Sequence, residues 1–131
     1  LTDAPRAALS AVLITRNAAT VLEACLESLA FADEIVVVDS SSGDGTLEIA
    51  QRLGARVVQK EWLGFGRQKQ FAVEQAKHDW VLCLDADERV SPQLAASIQA
   101  ALAAPVSPVY RMPRRNRFLG RWLAHGEGYP D

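Results

Sequence analysis

The chain has 131 residues, of which 49% are hydrophobic and 23% charged, with a formal net charge of -2. That length suits one domain around one core, and the composition excludes a disordered or fibrous chain. The charge balance gives no bulk attraction to nucleic acid, no apolar run approaches the roughly 20 residues of a bilayer span, and Leu1 to Leu9 lack the apolar core of a signal peptide.

The first strand is expected at Ala11 to Thr15, followed by the polar loop Thr15-Arg16-Asn17. Thr20 and Glu23 match a capping box, in which hydroxyl and carboxylate satisfy free amides at a helix start. Leu22, Cys25, Leu26 and Leu29 then recur with the spacing of one apolar helical face. Four consecutive β-branched residues, Ile35 to Val38, make the second strand, which Asp39 closes. Ser40-Ser41-Ser42-Gly43-Asp44-Gly45 is a turn-rich loop. Thr46 to Leu53 reads as a helix, with Gly54 placed to cap its end, and Ala55 to Gln59 as a short third strand.

A loop with two glycines and two aromatics, Glu61 to Gly66, leads into a third helix from Arg67 to Lys77. Its expected inner face is Phe71, Ala72, Gln75 and Ala76. Trp80 to Leu84 is a fourth strand, apolar throughout, and it ends abruptly in Asp85, Asp87 and Glu88. Ser91 and Pro92 open a fourth helix as N-cap and first helical residue, with Leu94, Ile98, Ala101 and Leu102 facing inward and Pro105 and Pro108 ending it. Val109 to Met112 reads as another strand. From its third residue on, Arg111, Arg114, Arg115, Arg117 and Arg121 hold five of the chain's 14 basic residues, interleaved with Phe118, Leu119, Trp122 and Leu123. That tail reads either as a contact for an anionic acceptor or lipid, or as an unpacked end. His125 within it is expected to be structural. Cys25 and Cys83 fall in apolar patterns without zinc spacing, so both are expected to be buried thiols, in a chain suited to a reducing compartment.

Strand and helix alternate four times, the pattern of a parallel sheet with helices on both faces. In such sheets ligands bind outside the carboxyl ends of the strands. Three polar groups fall there: Thr15-Arg16-Asn17, Asp39 with its serine loop, and Asp85-Ala86-Asp87. Alone, each has an ordinary explanation as a turn or cap residue. Together they suit a nucleoside diphosphate. One carboxylate can accept from a base amide, a second from ribose hydroxyls, and a third can hold Mg²⁺ or Mn²⁺ against the diphosphate. Lys69 could add a cation, or could be a plain exposed lysine.

Four stretches in order resemble the motifs of family 2 glycosyltransferases: Val12 to Asn17, Ile35 to Thr46, Gly66-Arg-Gln-Lys-Gln70 and Leu82 to Glu88. The tail, Tyr110 to Gly126 with Tyr129-Pro-Asp131, is similar to the bacterial lipopolysaccharide core subgroup. The resemblance implies a GT-A fold, an α/β/α sandwich with a mostly parallel sheet, over residues 9–108, with residues 109–131 beginning an acceptor-binding region. It implies an inverting, metal-dependent transfer of a hexose from a nucleotide sugar, UDP favoured, to a glycan or glycolipid acceptor on the cytoplasmic side of the membrane. It places Thr15, Arg16, Asn17, Asp39, Ser41, Lys69 and Asp85 on the nucleotide and Asp87 on the metal. Gln70 stands where the family often has Asn after its basic residue. The family's catalytic carboxylate lies well downstream of Asp-x-Asp. Only Glu127 and Asp131 follow Glu88, neither in the expected context, so the base is expected beyond residue 131 and this fragment is expected to bind donor without efficient transfer.

Two other readings stand beside this one. A sugar-phosphate nucleotidyltransferase also joins acidic residues and a metal on an α/β sheet, but favours a glycine-rich first loop, and Thr15 to Thr20 has no glycine. A non-catalytic nucleotide-binding domain of dinucleotide type would carry GxGxxG there, and a receiver an acidic pair.

Overall fold

In the computed structural model residues 6–103 are described, together with the short strand Arg117–Phe118. The elements are β1 (Leu9–Thr15), α1 (Ala19–Glu27), β2 (Glu34–Asp39), α2 (Thr46–Arg52), β3 (Arg56–Gln59), α3 (Phe65–Glu74), β4 (Trp80–Asp85), α4 (Pro92–Ala103) and β5 (Arg117–Phe118). The strands pair in parallel in the order β3-β2-β1-β4-β5. The expected strand at Val109 to Met112 lies outside the described residues. The fifth strand instead comes from within the Arg-rich segment and pairs with the start of β4.

Strand parity builds the two layers of core, because successive side chains point to opposite faces. Leu9, Ala11 and Leu13 of β1, Val37 of β2, and Trp80, Leu82 and Leu84 of β4 face one side. There they pack with Leu22, Cys25 and Leu26 of α1, Ala50 of α2, and Ile98 and Leu102 of α4. Val12, Val36, Val38 and Val81 face the other side and meet Ala72 and Val73 of α3. The chain steps outward from β1 to β2 to β3, then crosses back over β1 to reach β4. Crossovers keep one hand, so reversing direction carries α3 to the opposite face. The direction of winding therefore switches beside β1, and the loops after β1 and β4 part there to leave a crevice.

Local chemistry ends the helices where expected in two places. Ser91 Oγ accepts from the Leu94 amide at 3.0 Å, capping α4. Gly54, at φ 89°, ends α2: its amide bonds to Gln51 O and that of Ala55 to Ala50 O, the paired bonds of a Schellman motif. Two expectations are corrected. Thr20 and Glu23 form no capping box, because α1 begins at Ala19 with Ala18 as its N-cap, and Thr20 already lies inside the helix. Glu23 instead pairs with Arg52 at 3.2 Å. α3 begins earlier than expected, at Phe65 after Gly64, and ends at Glu74. Its buried residues are Gln68, Ala72 and Val73, while Phe71, Gln75 and Ala76 are half-buried. Cys25 is buried and Cys83 half-buried, neither in a disulfide. No helix among the described residues is long and apolar enough to cross a membrane.

Candidate functional site

The strand register brings the predicted groups to one edge. Thr15 pairs with Asp39, and Ile14 with Asp85. Parity then separates the carboxylates. Asp39 follows the positions of Val37 and Leu13, on the α1 side. Asp85 follows Val81 and Cys83, on the α3 side. This is why Lys69, on α3, reaches Asp85: Nζ lies 3.7 Å from Oδ1. Both side chains are partly exposed, so the pair is solvent-screened and weak.

Asp39 is wholly buried. Its Oδ1 accepts from Thr15 Oγ1 at 2.7 Å and from Ser42 Oγ at 2.6 Å, and its Oδ2 from the Ser42 amide at 2.9 Å. A buried carboxylate is costly without such donors, and three bonds use most of its four lone-pair sites. Ser42 therefore covers the side chain expected to read a base. The covering loop is strained: Ser41 has φ 54° and Asn17, facing it, φ 51°. Asn tolerates that region well and Ser less so. Asn17 holds the loop through two bonds, its amide to Ser42 Oγ and its Oδ1 from the Gly43 amide, both 2.8 Å. Arg16 and Ser41 stand exposed at the rim.

The same loop caps α1 from outside. Thr46 Oγ1 accepts from the Ala18 amide at 2.8 Å and Asp44 Oδ2 from the Ala19 amide at 3.1 Å. A helix N-terminus of this kind often cradles phosphate. Here Asp44 and Thr46 already take those amides. Hydrogen bonds, first that of the Thr46 hydroxyl, hold the exposed Asp44 carboxyl below its ordinary value.

Asp85, the last residue of β4, and Asp87, on the turn after it, are both exposed. Glu88 is not spare: its Oε1 accepts from the Asp85 amide at 2.9 Å, and its own amide bonds back to Asp85 O at 2.9 Å. Beneath the turn lies Cys25, whose thiol approaches Asp85 O at 3.8 Å. Burial first, then the negative charge of Glu88, Asp87 and Asp85, pushes that thiol up to about 12. The turn is therefore a concentration of negative charge at the crevice. Among the described residues no three His, Cys, Asp or Glu form a group that could enclose a metal. Two exposed carboxylates at the turn fit a hard divalent ion that takes its remaining oxygens from a phosphate ligand and water.

Sequence reasoning missed four residues here: Ser42, Asp44, Thr46 and Gln68. Gln68 is fully buried. Its Nε2 donates to Ser40 Oγ at 3.0 Å, and its Oε1 accepts from the Leu63 amide at 2.9 Å. The available signal was a polar residue at an inward position of an amphipathic helix.

This sandwich, acidic at its switch point, is the fold of the GT-A glycosyltransferases. The chain belongs to glycosyl transferase family 2, whose model matches residues 10–126. An uncharacterized glycosyltransferase of Rickettsia bellii is 46% identical over 97 residues, 73% of this chain and 33% of that protein. The lipopolysaccharide core biosynthesis glycosyltransferase LpsC of Rhizobium meliloti is 38% identical over 122 residues, 88% of this chain and 45% of that protein. Among solved structures, mannosyl-3-phosphoglycerate synthase from Rubrobacter xylanophilus superposes with a TM-score of 0.64 at 31% identity, covering 76% of this chain and 38% of that one. Glucosyl-3-phosphoglycerate synthase from Mycobacterium tuberculosis, in complex with UDP, gives 0.63 at 25% identity, covering 76% and 41%. The chain thus spans about a third of the length of its Rickettsia relatives.

Proposed function

We propose that this chain is the donor-binding part of an inverting glycosyltransferase that moves a hexose from a nucleotide sugar, UDP favoured, to a saccharide or lipopolysaccharide-core acceptor. One observation carries the reading: the strand register sets Thr15, Asp39 and Asp85 along one edge at the switch point. The likeness to LpsC supports the acceptor class, and the UDP complex of a structural neighbour supports the donor.

Asp39 reads an amide N–H of the base, which requires Ser42 to give up its place on the carboxylate. Thr15 keeps its bond to Asp39 and fixes the rotamer. Asn17, Arg16 and Ser41 line the rim of the nucleotide site. Asp85 accepts from the ribose, and Lys69 leaves Asp85 for the diphosphate, where its charge is better matched. Asp87, with Asp85 beside it, would hold Mg²⁺ or Mn²⁺, which supplies Lewis-acid stabilisation of the departing diphosphate. Inversion needs a base on the acceptor hydroxyl. Asp39, Asp44 and Glu88 are engaged as acceptors within the fold. The family resemblance puts the base well downstream of Asp85-Ala86-Asp87, with residues 109–131 opening the acceptor side. Cytoplasmic action at the inner membrane face, with the Arg-rich tail on anionic lipid, belongs to the same proposal.

Calorimetric titration with a panel of nucleoside diphosphates, with and without Mn²⁺, tests it. Metal-dependent binding of UDP is expected, lost in Asp87→Ala. Folded protein that binds no diphosphate refutes the reading. Residues 1–131 are expected to show no efficient acceptor-dependent turnover; robust turnover would place the base within them.

A further inference from the structure

Gln68 has no part in the donor contacts above, yet it is the largest fully buried polar side chain of the described residues. A buried amide is costly unless both its ends are paired. Both are, and the partners lie on two different loops. Nε2 donates to Ser40 Oγ at 3.0 Å, and Ser40 Oγ donates onward to Lys60 O at 2.9 Å. Oε1 accepts from the Leu63 amide at 2.9 Å. The Lys60 amide closes the ring by donating to Asp39 O at 3.0 Å. Strand parity explains the reach: Ser40, one residue beyond Asp39, turns to the α3 face where Gln68 sits.

The ring holds the Asp39 carbonyl and the side chain of Ser40, which follows it. Ser42 must leave the Asp39 carboxylate for a base to reach it, and the left-handed Ser41, at φ 54°, separates Ser42 from the stapled Ser40. We propose that Gln68 is a positioning residue for base recognition: it holds Ser40, and through it the backbone that follows Asp39, in place while the loop beyond Ser41 opens. The proposal rests on the donor reading above. Asp39 itself stays in the sheet, paired with Thr15 and Gln59, so in the unstapled chain it is Ser40 that loosens: opening then reaches back to the residue next to the carboxylate, and its presentation to the base is less well fixed. The neighbouring Lys69, by contrast, faces the diphosphate end through Asp85, so the base-independent part of binding does not depend on the ring.

The experiment is calorimetric titration of wild type, Gln68→Leu, Ser40→Ala and the double variant with UDP and with inorganic pyrophosphate, both with Mn²⁺. Each single variant is expected to weaken UDP about tenfold, the scale of one or two buried hydrogen bonds, while pyrophosphate changes less than about twofold. The double variant is expected to be no weaker for UDP than the worse single variant, because both remove the same ring. Equal weakening of both ligands would make Gln68 merely structural and overturn the proposal, as would unchanged UDP binding. Additive losses in the double variant overturn the shared ring. If Gln68→Leu does not fold, Ser40→Ala alone decides by the same two ligands. Wild type that binds no UDP refutes the donor reading itself and takes the proposal with it, whereas UDP binding by wild type with an unchanged UDP-to-pyrophosphate ratio in the variants refutes this proposal alone.

Discussion

Thr46→Val separates two ways of starting α1. Thr46 is fully buried, and its hydroxyl accepts from the Ala18 amide at 2.8 Å across 28 positions of sequence. Valine keeps the volume and removes the acceptor, so the change opens no cavity and leaves the Ala18 N–H unpaired in a buried place. That orphaned donor costs about 1–3 kcal/mol. The loss of an N-cap, about 0.5–2 kcal/mol, is the same bond seen from the helix and is not added. The bond from Thr46 to Asp44 contributes little to the loss, because Asp44 is exposed and water replaces it. An expected cost of about 2 kcal/mol is a large part of the roughly 5–15 kcal/mol that holds a domain of this kind together. Thr20→Ala is the matched control. Thr20 is the cap suggested by local sequence, yet it is exposed inside α1. Its removal is expected to change stability by less than about 0.5 kcal/mol. Urea unfolding followed by far-UV circular dichroism reads both, as a shift of midpoint at constant slope. A Thr20→Ala cost equal to or above that of Thr46→Val would refute the external cap.

Three further outcomes are expected. Burial pushes the Glu34 carboxyl up, but hydrogen bonds from the Lys77 amide and Ser10 Oγ and the Arg56 guanidinium outweigh it and hold it below its ordinary 4.5. Its stabilisation is therefore fully present above about pH 4.5 and lost as pH falls through the lowered value. Glu34→Gln should lower stability at neutral pH and flatten the acid limb of a pH-dependent unfolding series; an unchanged acid limb would count against it. Cys25, with its thiol pushed up to about 12, should resist a thiol-reactive dye at pH 8 in native protein and react once unfolded in urea. Rapid native labelling at Cys25, checked by mass spectrometry of the labelled peptide, would contradict the burial. Leu22→Ala, at a side chain with no exposure, should cost about 2–5 kcal/mol by urea unfolding, and a loss below 1 kcal/mol would mean that α1 packs less tightly than described.

Much of the fold was legible because it depends on near neighbours in sequence. The β-branched run before Asp39, the apolar run before Asp85 and the helical spacing of Leu22, Cys25 and Leu26 each fix an element within a few residues. Ser91 opens α4 and Gly54 closes α2 through bonds to residues three positions away, or within the same turn. The strand ends were legible for the same reason, and with a parallel sheet they had to share one edge.

What tertiary structure decided is which of those groups meet, and on which face. Only the register pairs Thr15 with Asp39, and only strand parity sends Asp39 toward α1 and Asp85 toward Lys69 on α3. The capping box at Thr20 failed because α1 starts one residue before it, at Ala19, where Thr46 and Asp44 of the next loop take the Ala18 and Ala19 amides. Gln68 read as an ordinary polar residue because its worth lies in bonds to Ser40 and Leu63, and no local pattern encodes a contact across 28 positions. The sequence by itself determined which chemistry stands at the strand ends. The three-dimensional packing determined that Asp39 is covered by Ser42, that Ser40 beside it is held by Gln68, and that Asp39 stands apart from the exposed carboxylates Asp85 and Asp87, because hydrogen bonds between loops exist only once the sheet has set their distance.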